Sequence, residues 1–115
     1  MGAGLYNFTI EQGSTFTRLI TYRDANNALV DLTNYTARMQ LRKNIKDTRT
    51  IIELTTENNR ITLGGLNGTI QLSISAADTK NLETVRGVYD LEIVAGTVVT
   101  KIIAGEFNIT GEVTR

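Results

Sequence analysis

The sequence predicts an all-β fold, an antiparallel sandwich of about seven or eight short strands with one short helical turn. Three observations predict it. Thr, Ile and Val make up 37 of the 115 residues, and these β-branched side chains favour strands. Apolar and polar residues alternate in short runs, as they do in strands with one buried face. Turn-forming Gly, Asn and Asp residues separate these runs.

The clearest alternation runs from Tyr35 to Arg42. One face of this predicted strand carries Tyr35, Ala37, Met39 and Leu41, and the other carries Thr36, Arg38, Gln40 and Arg42. Comparable runs predict strands over residues 6–11, 16–22, 51–54, 61–63, 69–74, 88–93, 98–103 and 107–109. In this pattern Tyr6, Tyr35 and Tyr89 fall on core faces, which leaves Tyr22 as the exposed tyrosine.

Three local signals refine the prediction. Ser75 lies three residues before Asp78, which predicts one capped helical turn over residues 75–82. The glycine-rich stretch Gly64–Gly68 joins two strand-like runs, so it is expected to form a hairpin connection in which Asn67-Gly68 supplies positive φ. Gly105 falls where the alternation changes phase, which predicts a bulge or a close backbone approach.

The chain is expected to form one domain over residues 1–115, with residues 1–4 as a flexible arm. A domain of this size can bury a core without disulfides or metals. The first residues lack the basic and apolar regions of a secretory signal, and no window is apolar enough to predict a spanning helix.

Composition removes many functions. Without His or Cys the chain has no imidazole base, no thiolate nucleophile and no ligands for a zinc-type site. Only carboxylate, Lys, Tyr or hydroxyl chemistry would remain, and we expect no cofactor and no metal. The formal net charge of zero gives no long-range attraction toward nucleic acid or an anionic membrane, so neither is an expected partner.

One local charge excess stands out, a net charge of +4 over residues 38–49. Its members are Arg38, Arg42, Lys43, Lys46 and Arg49, and they form the candidate protein interface of this chain. The alternative is a solvated strand face followed by a solvated loop. Asp90 and Glu92 are the nearest approach to a carboxylate pair, because they share one face of a predicted strand. A solvated strand face is the expected interpretation of that pair.

The segment Gly87–Ile93 follows the predicted helical turn and places Tyr89 two residues before Leu91. This arrangement resembles the tyrosine-corner region of immunoglobulin-like sandwiches, with Leu91 where antibody domains have their second cysteine. The resemblance implies an immunoglobulin-like architecture, with Tyr89 as a candidate structural tyrosine corner, and it implies nothing about activity.

A more specific resemblance spans most of the chain and is carried by five segments: residues 6–13, 22–42, 61–65, 89–92 and 112–115. They include an extended strand ending in Gln12-Gly13 and a Val-Asp-Leu-Thr motif beginning at Val30. The pattern is similar to small structural proteins of tailed bacteriophages, and to the immunoglobulin-like N-terminal domain of phage baseplate upper proteins. Relatives commonly have Gly and Pro at the positions of Asn27 and Leu29.

The resemblance implies a non-enzymatic virion structural protein of a tailed phage, made in the cytoplasm of the bacterial host. A tail or baseplate/fibre adaptor is the expected role, and a capsid decoration protein is the alternative. Other virion proteins and further copies of this chain would be its partners. The alternative of another class is a carbohydrate-binding module, for which Tyr22 would be the remaining exposed aromatic side chain.

Overall fold

The computed structural model describes residues 4–114. These residues form nine strands, one short α-helix and one 3-10 turn. The strands are β1 (Gly4–Leu5), β2 (Phe8–Glu11), β3 (Phe16–Thr21), β4 (Thr36–Arg42), β5 (Ile52–Thr55), β6 (Ile61–Leu63), β7 (Thr69–Ile74), β8 (Arg86–Ala95) and β9 (Val98–Thr110). The 3-10 turn spans Gly65–Asn67 and the helix α1 spans Ala76–Lys80.

The strands form two sheets that pack face to face. Sheet A has the order β1-β9-β8-β4-β5, with β2 also paired to β9, and sheet B has the order β3-β7-β6. The short strands β1 and β2 follow one another along β9 and run parallel to it, whereas the other pairs are antiparallel. Nine strands thus occupy eight positions in the sandwich.

The strand order confirms the predicted immunoglobulin-like sandwich. A three-stranded sheet of β3, β7 and β6 faces a sheet in which β5, β4, β8 and β9 are neighbours. This is the B-E-D and C′-C-F-G arrangement of variable-type immunoglobulin domains. An extra strand at the edge of the second sheet is supplied by β1 and β2.

The core consists of the inward residues of both sheets. On β4 the buried residues are Ala37, Met39 and Leu41, as the alternation predicted. Phe8 lies at the centre of an aromatic cluster, with its ring centroid 5.3 Å from that of Phe16 and 4.8 Å from that of Tyr89. Burying such large side chains is the main source of stability in a domain without disulfides.

The predicted helical turn is present as α1, and side-chain hydrogen bonds hold it near each end. Ser75 is the N-cap, and its hydroxyl oxygen accepts a hydrogen bond from the Asp78 backbone N–H. Thr79 is fully buried, and its hydroxyl donates to the Ser14 carbonyl at 2.8 Å and accepts from the Gly13 N–H at 3.1 Å. Thr79 thereby attaches α1 to the turn between β2 and β3.

The glycine-rich stretch connects β6 to β7 as a hairpin, as predicted, but its backbone differs in one detail. The residues with positive φ are Gly65 (61°) and Gly68 (65°), so Asn67 does not share that role. A Cβ on Gly68 would lie 2.8 Å from the Tyr22 carbonyl oxygen, so this position also needs the space. In the turn that follows β3, Asn27 has φ 63°, a left-handed conformation that glycine adopts with less strain than other residues.

The predicted strands at 98–103 and 107–109 are one continuous strand, β9. The change of phase arises at a register shift, because Leu91 pairs with Ile103 whereas Glu92 pairs with Lys101, so Ile102 is the extra residue. Gly105 instead provides the close approach. A Cβ there would lie 2.1 Å from the Tyr6 carbonyl oxygen.

The N-terminal segment departs from two predictions. Gly4 belongs to β1 and pairs with Ile103, so it is not part of a flexible arm, and residues 1–3 of that predicted arm lie outside the described residues. Tyr6 is 39% exposed and does not face the core. It lies between β1 and β2, where the strand alternation is interrupted.

Tyr89 is buried on β8, as expected, but it is not a tyrosine corner. Its hydroxyl donates to the Tyr6 carbonyl at 2.5 Å, across 83 residues of sequence. In a tyrosine corner the acceptor is a backbone group a few residues upstream. The acceptor differs because Tyr89 pairs with Gly105, and the Tyr6 carbonyl lies directly over that glycine.

Candidate functional site

The structure divides the predicted basic interface. Arg38, on the outward face of β4, forms an ion pair with Glu92 of β8 at 2.8 Å. Arg49 forms an ion pair with Glu83 at 2.7 Å. Both pairs are partly exposed, so they contribute little to stability, but each cation already has an anionic partner. Arg38 and Arg49 therefore do not add unpaired charge to the surface.

Arg42 has a positioning role. Its guanidinium donates to the Asp47 carbonyl at 2.7 Å and to the Gln40 side-chain oxygen at 2.5 Å. The first of these bonds holds the end of β4 to the loop that follows it. Both acceptors are neutral groups, so the charge of Arg42 is not balanced by them.

Lys43 and Lys46 lie on that loop and are exposed. Between them stands Ile45, which is 84% exposed. Neither lysine forms an ion pair with any of residues 4–114. We refer to Arg42, Lys43, Ile45, Lys46 and Val88 as the Ile45 site. Three of the five predicted interface residues are thus brought together around an isoleucine that the charge pattern did not single out.

Grooves meet at the Ile45 site. One is lined by Lys43, Lys46, Ile45 and Val88 at the loop itself. A second groove, of about 440 Å³, crosses the outward face of sheet A and shares Ile45, Val88 and Arg42 with the site. Ala104 and Gly105 of β9 also line this groove. The site is therefore an exposed apolar side chain beside concave surface.

The predicted carboxylate pair is balanced by bases. Asp90 lies 3.3 Å from Lys101, and Glu92 is the partner of Arg38. Residues 4–114 contain no group of three or more Asp or Glu side chains placed to hold a metal ion. Elsewhere, a hydrogen bond from the Thr33 hydroxyl lowers the pKa of Asp31, and a hydrogen bond from the Arg60 guanidinium lowers the pKa of Asp78.

The outward face of sheet B is a second candidate surface, which we call the hydroxyl face. Leu19, at its centre, is 67% exposed and pairs with Gln71. All seven outward residues are uncharged: Thr17, Leu19, Thr21, Thr62, Thr69, Gln71 and Ser73. The outward face of sheet A, by contrast, carries the ion pairs described above. The alternation in residues 16–21 contained the signal for this face, but its charge-free character depends on which strands are neighbours.

Arg18 protects the exposed edge of sheet B. Its side chain lies on the inward side of the edge strand β3, with the guanidinium 4.8 Å from the centroid of the Phe16 ring. It also donates to the Thr9 carbonyl of β2 at 3.4 Å. An inward-pointing charge on an edge strand hinders pairing with a further strand. Arg18 thus disfavours the addition of a further strand at the β3 edge of sheet B.

The aromatic residues do not form an exposed platform. Tyr22, the predicted exposed tyrosine, is half-buried and packs against the core. Tyr6 is the more exposed ring, with its centroid 6.2 Å from that of the buried Phe8. Sugar-binding modules stack their ligands on exposed rings, and the tyrosine that would have served here is turned toward the core.

No family model matches the sequence, and no curated protein matches it. Among solved structures, the chain is similar to one from a study titled "Structure-based site-directed photo-crosslinking analyses of multimeric cell-adhesive interactions of VGSC beta subunits". The similarity covers 92% of each chain at 15% sequence identity, with a TM-score of 0.45. At that level the likeness does not bear on what this chain binds. Within residues 4–114, no helix is long and apolar enough to cross a membrane.

Proposed function

We propose that this protein is a non-enzymatic structural protein of a tailed-phage virion and acts as a tail or baseplate adaptor. Its sequence resembles small phage structural proteins over most of its length, and its immunoglobulin-like sandwich offers two faces for contact. In this role it binds neighbouring virion proteins, including further copies of itself, and its contribution to the particle is adhesion between subunits.

The hydroxyl face is the observation that carries the proposal. Protein interfaces are depleted in charged side chains at their centres, and this face has none across three strands. Hydroxyl and amide groups both donate and accept hydrogen bonds, so they can pair with either kind of group on a neighbouring surface, and that pairing offsets the cost of removing them from water. Leu19, exposed at the centre, supplies apolar surface that a partner can bury.

The test is quantitative mass spectrometry of purified particles of the phage that encodes the chain, with heads and tails separated before digestion. The adaptor role predicts enrichment in tails at about three or six copies per particle, or a small multiple, as expected for a symmetric ring. Roughly hundreds of copies in the head fraction would establish decoration and overturn the adaptor role. Absence from both fractions would overturn any virion role.

A matched pair of variants tests the face itself. Leu19→Arg places a charge at the centre of the hydroxyl face and is expected to reduce incorporation at least fivefold. Leu5→Arg introduces the same charge at a residue that is 83% exposed on β1, in the other sheet, and is expected to incorporate normally. Both proteins should unfold as the wild type does. Equal incorporation of the two would show that the hydroxyl face is not the contact.

A carbohydrate-binding module, the alternative of another class, has less support because Tyr22 is half-buried. Titration calorimetry with oligosaccharides separates the two functions. Saturable binding at millimolar or lower concentration would favour the module over a purely structural protein.

A further inference from the structure

We infer that the Ile45 site binds an extended segment of a partner protein in which a large apolar side chain lies next to carboxylates. This binding does not depend on the hydroxyl face or on a virion role. The Ile45 site lies on sheet A and the loop after β4, whereas the hydroxyl face belongs to sheet B. Arg42, Lys43 and Lys46 would contact this ligand, and the proposed adaptor role does not involve these three basic residues.

The apolar side chain of the ligand is inferred from the exposure of Ile45. This side chain is 84% exposed at the loop between β4 and β5, and Val88 of β8 lines the same groove. Most large apolar side chains of the domain are instead buried in the core. An apolar side chain from a partner, seated between Ile45 and Val88, would remove both from water, which is the main favourable term in association.

The carboxylates of the ligand are inferred from the basic side chains around Ile45. Arg42, Lys43 and Lys46 surround Ile45, and Asp47 is the one acid on the loop. Further along the sheet groove, Asp90 is held by Lys101 and Glu92 by Arg38. Glu106, the register partner of Val88, is a further acid near the site, but Arg86 lines the same groove as Glu106 and Lys43, so the net charge around the site is still positive. An anionic segment is complementary to that charge.

The extended conformation follows from the shape of the surface. The groove of about 440 Å³ leads from Ile45 over Ala104 and Gly105, along the outward face of sheet A. Its volume is in the range that accommodates a few side chains. A nucleic acid strand is the other anionic occupant, but its recognition uses aromatic stacking, and an isoleucine stands where a ring would be needed.

The test is an NMR titration of the ¹⁵N-labelled full chain with a blocked pentapeptide that has a leucine between two aspartates. The expected result is a set of saturable amide shifts at Lys43, Ile45, Lys46 and Val88, with a dissociation constant of about 1 mM or lower. Replacing both aspartates of the peptide with lysine, or its leucine with alanine, should weaken binding at least fivefold. Equal binding of the lysine peptide, or no shifts at these residues, would overturn the inference.

Charge reversal in the protein provides the complementary arm. The double variant Lys43→Glu and Lys46→Glu should lose the aspartate peptide and bind the lysine peptide instead. Arg42 is left unchanged because it holds the loop. The matched control is Lys80→Glu, on the exposed end of α1, which should bind as the wild type does. If a short oligothymidine shifts the same amides at a lower concentration than the aspartate peptide, the ligand is nucleic acid and the inference fails.

Discussion

The Tyr89 hydroxyl donates a hydrogen bond of 2.5 Å to the Tyr6 carbonyl, and this bond attaches the N-terminal segment to the centre of sheet A. The bond is possible because Gly105, the register partner of Tyr89, has no side chain. The Tyr6 N–H meanwhile donates to the Ala104 carbonyl at 3.1 Å. A tyrosine, a glycine and a main-chain carbonyl thus form one structural unit.

Removing the hydroxyl tests the strength of this attachment. Tyr89→Phe keeps the buried ring and loses the hydrogen bond, so the free energy of unfolding should fall by about 1 kcal/mol. Tyr35→Phe removes a hydroxyl from a ring that is only partly buried, and should change the free energy of unfolding by less than about 0.5 kcal/mol. Urea unfolding of both variants provides the comparison. An equal loss of stability in the two variants would mean that the hydrogen bond from Tyr89 to Tyr6 does not stabilise the domain.

Ionisation of the same hydroxyl should make the stability of the domain depend on pH in the alkaline range. Burial of the ring, together with the nearby Tyr6, raises the pKa of Tyr89 above its ordinary value near 10. In the unfolded chain this phenol ionises near pH 10, whereas in the folded domain it stays neutral to higher pH. The contribution of Tyr89 to stability is therefore complete below about pH 10 and declines above it.

Urea unfolding at a series of pH values from about 8 to 11 measures this decline. Because Tyr89→Phe has no phenol at that position, its stability should fall less steeply above about pH 10 than that of the wild type. Parallel curves for the two proteins would show that Tyr89 ionises equally in both states.

Gly105 should tolerate no side chain. In Gly105→Ala the new methyl group would need to displace the Tyr6 carbonyl oxygen, which lies 2.1 Å from the Cβ position. We expect the free energy of unfolding to fall by about 1 to 3 kcal/mol. Hydrogen exchange at the amides of residues 4–8 should become faster. Gly4→Ala is the control, because its nearest contact is an ordinary 3.6 Å. A stable Gly105→Ala protein with unchanged exchange would contradict this arrangement.

Thr79 should matter through its hydroxyl. Thr79→Val keeps the shape but leaves the Ser14 carbonyl and the Gly13 N–H without their partner, at an expected cost of about 1 to 3 kcal/mol. Thr79→Ser keeps the hydroxyl and loses one methyl group, at a cost of about 0.8 kcal/mol. Thermal unfolding ranks the two variants. A Val variant more stable than the Ser variant would show that packing dominates at this position.

The basic segment shows what charge counting can and cannot predict. Five cations close in sequence predicted one interface, but β4 places Arg38 opposite Glu92, and the loop brings Arg49 to Glu83. These acids are 54 and 34 positions further along the chain, so no local pattern could pair them. Ile45 was overlooked for a related reason, since a single apolar residue in a loop has no periodicity that would reveal its exposure.

Local sequence patterns predicted most of the strands, the capped turn at Ser75 and the inward residues of β4, whereas β1 and the continuity of β9 were not predicted. Alternation with a period of two and side-chain capping are local properties, so a short window contains them. The neighbouring strands, by contrast, are known only from the packing of the two sheets. The pairing of Arg38, the acceptor of Tyr89 and the uncharged surface around Leu19 all depend on which strands are neighbours. Each of these relationships joins residues far apart in sequence, and only the packing of two sheets around one core brings them into contact.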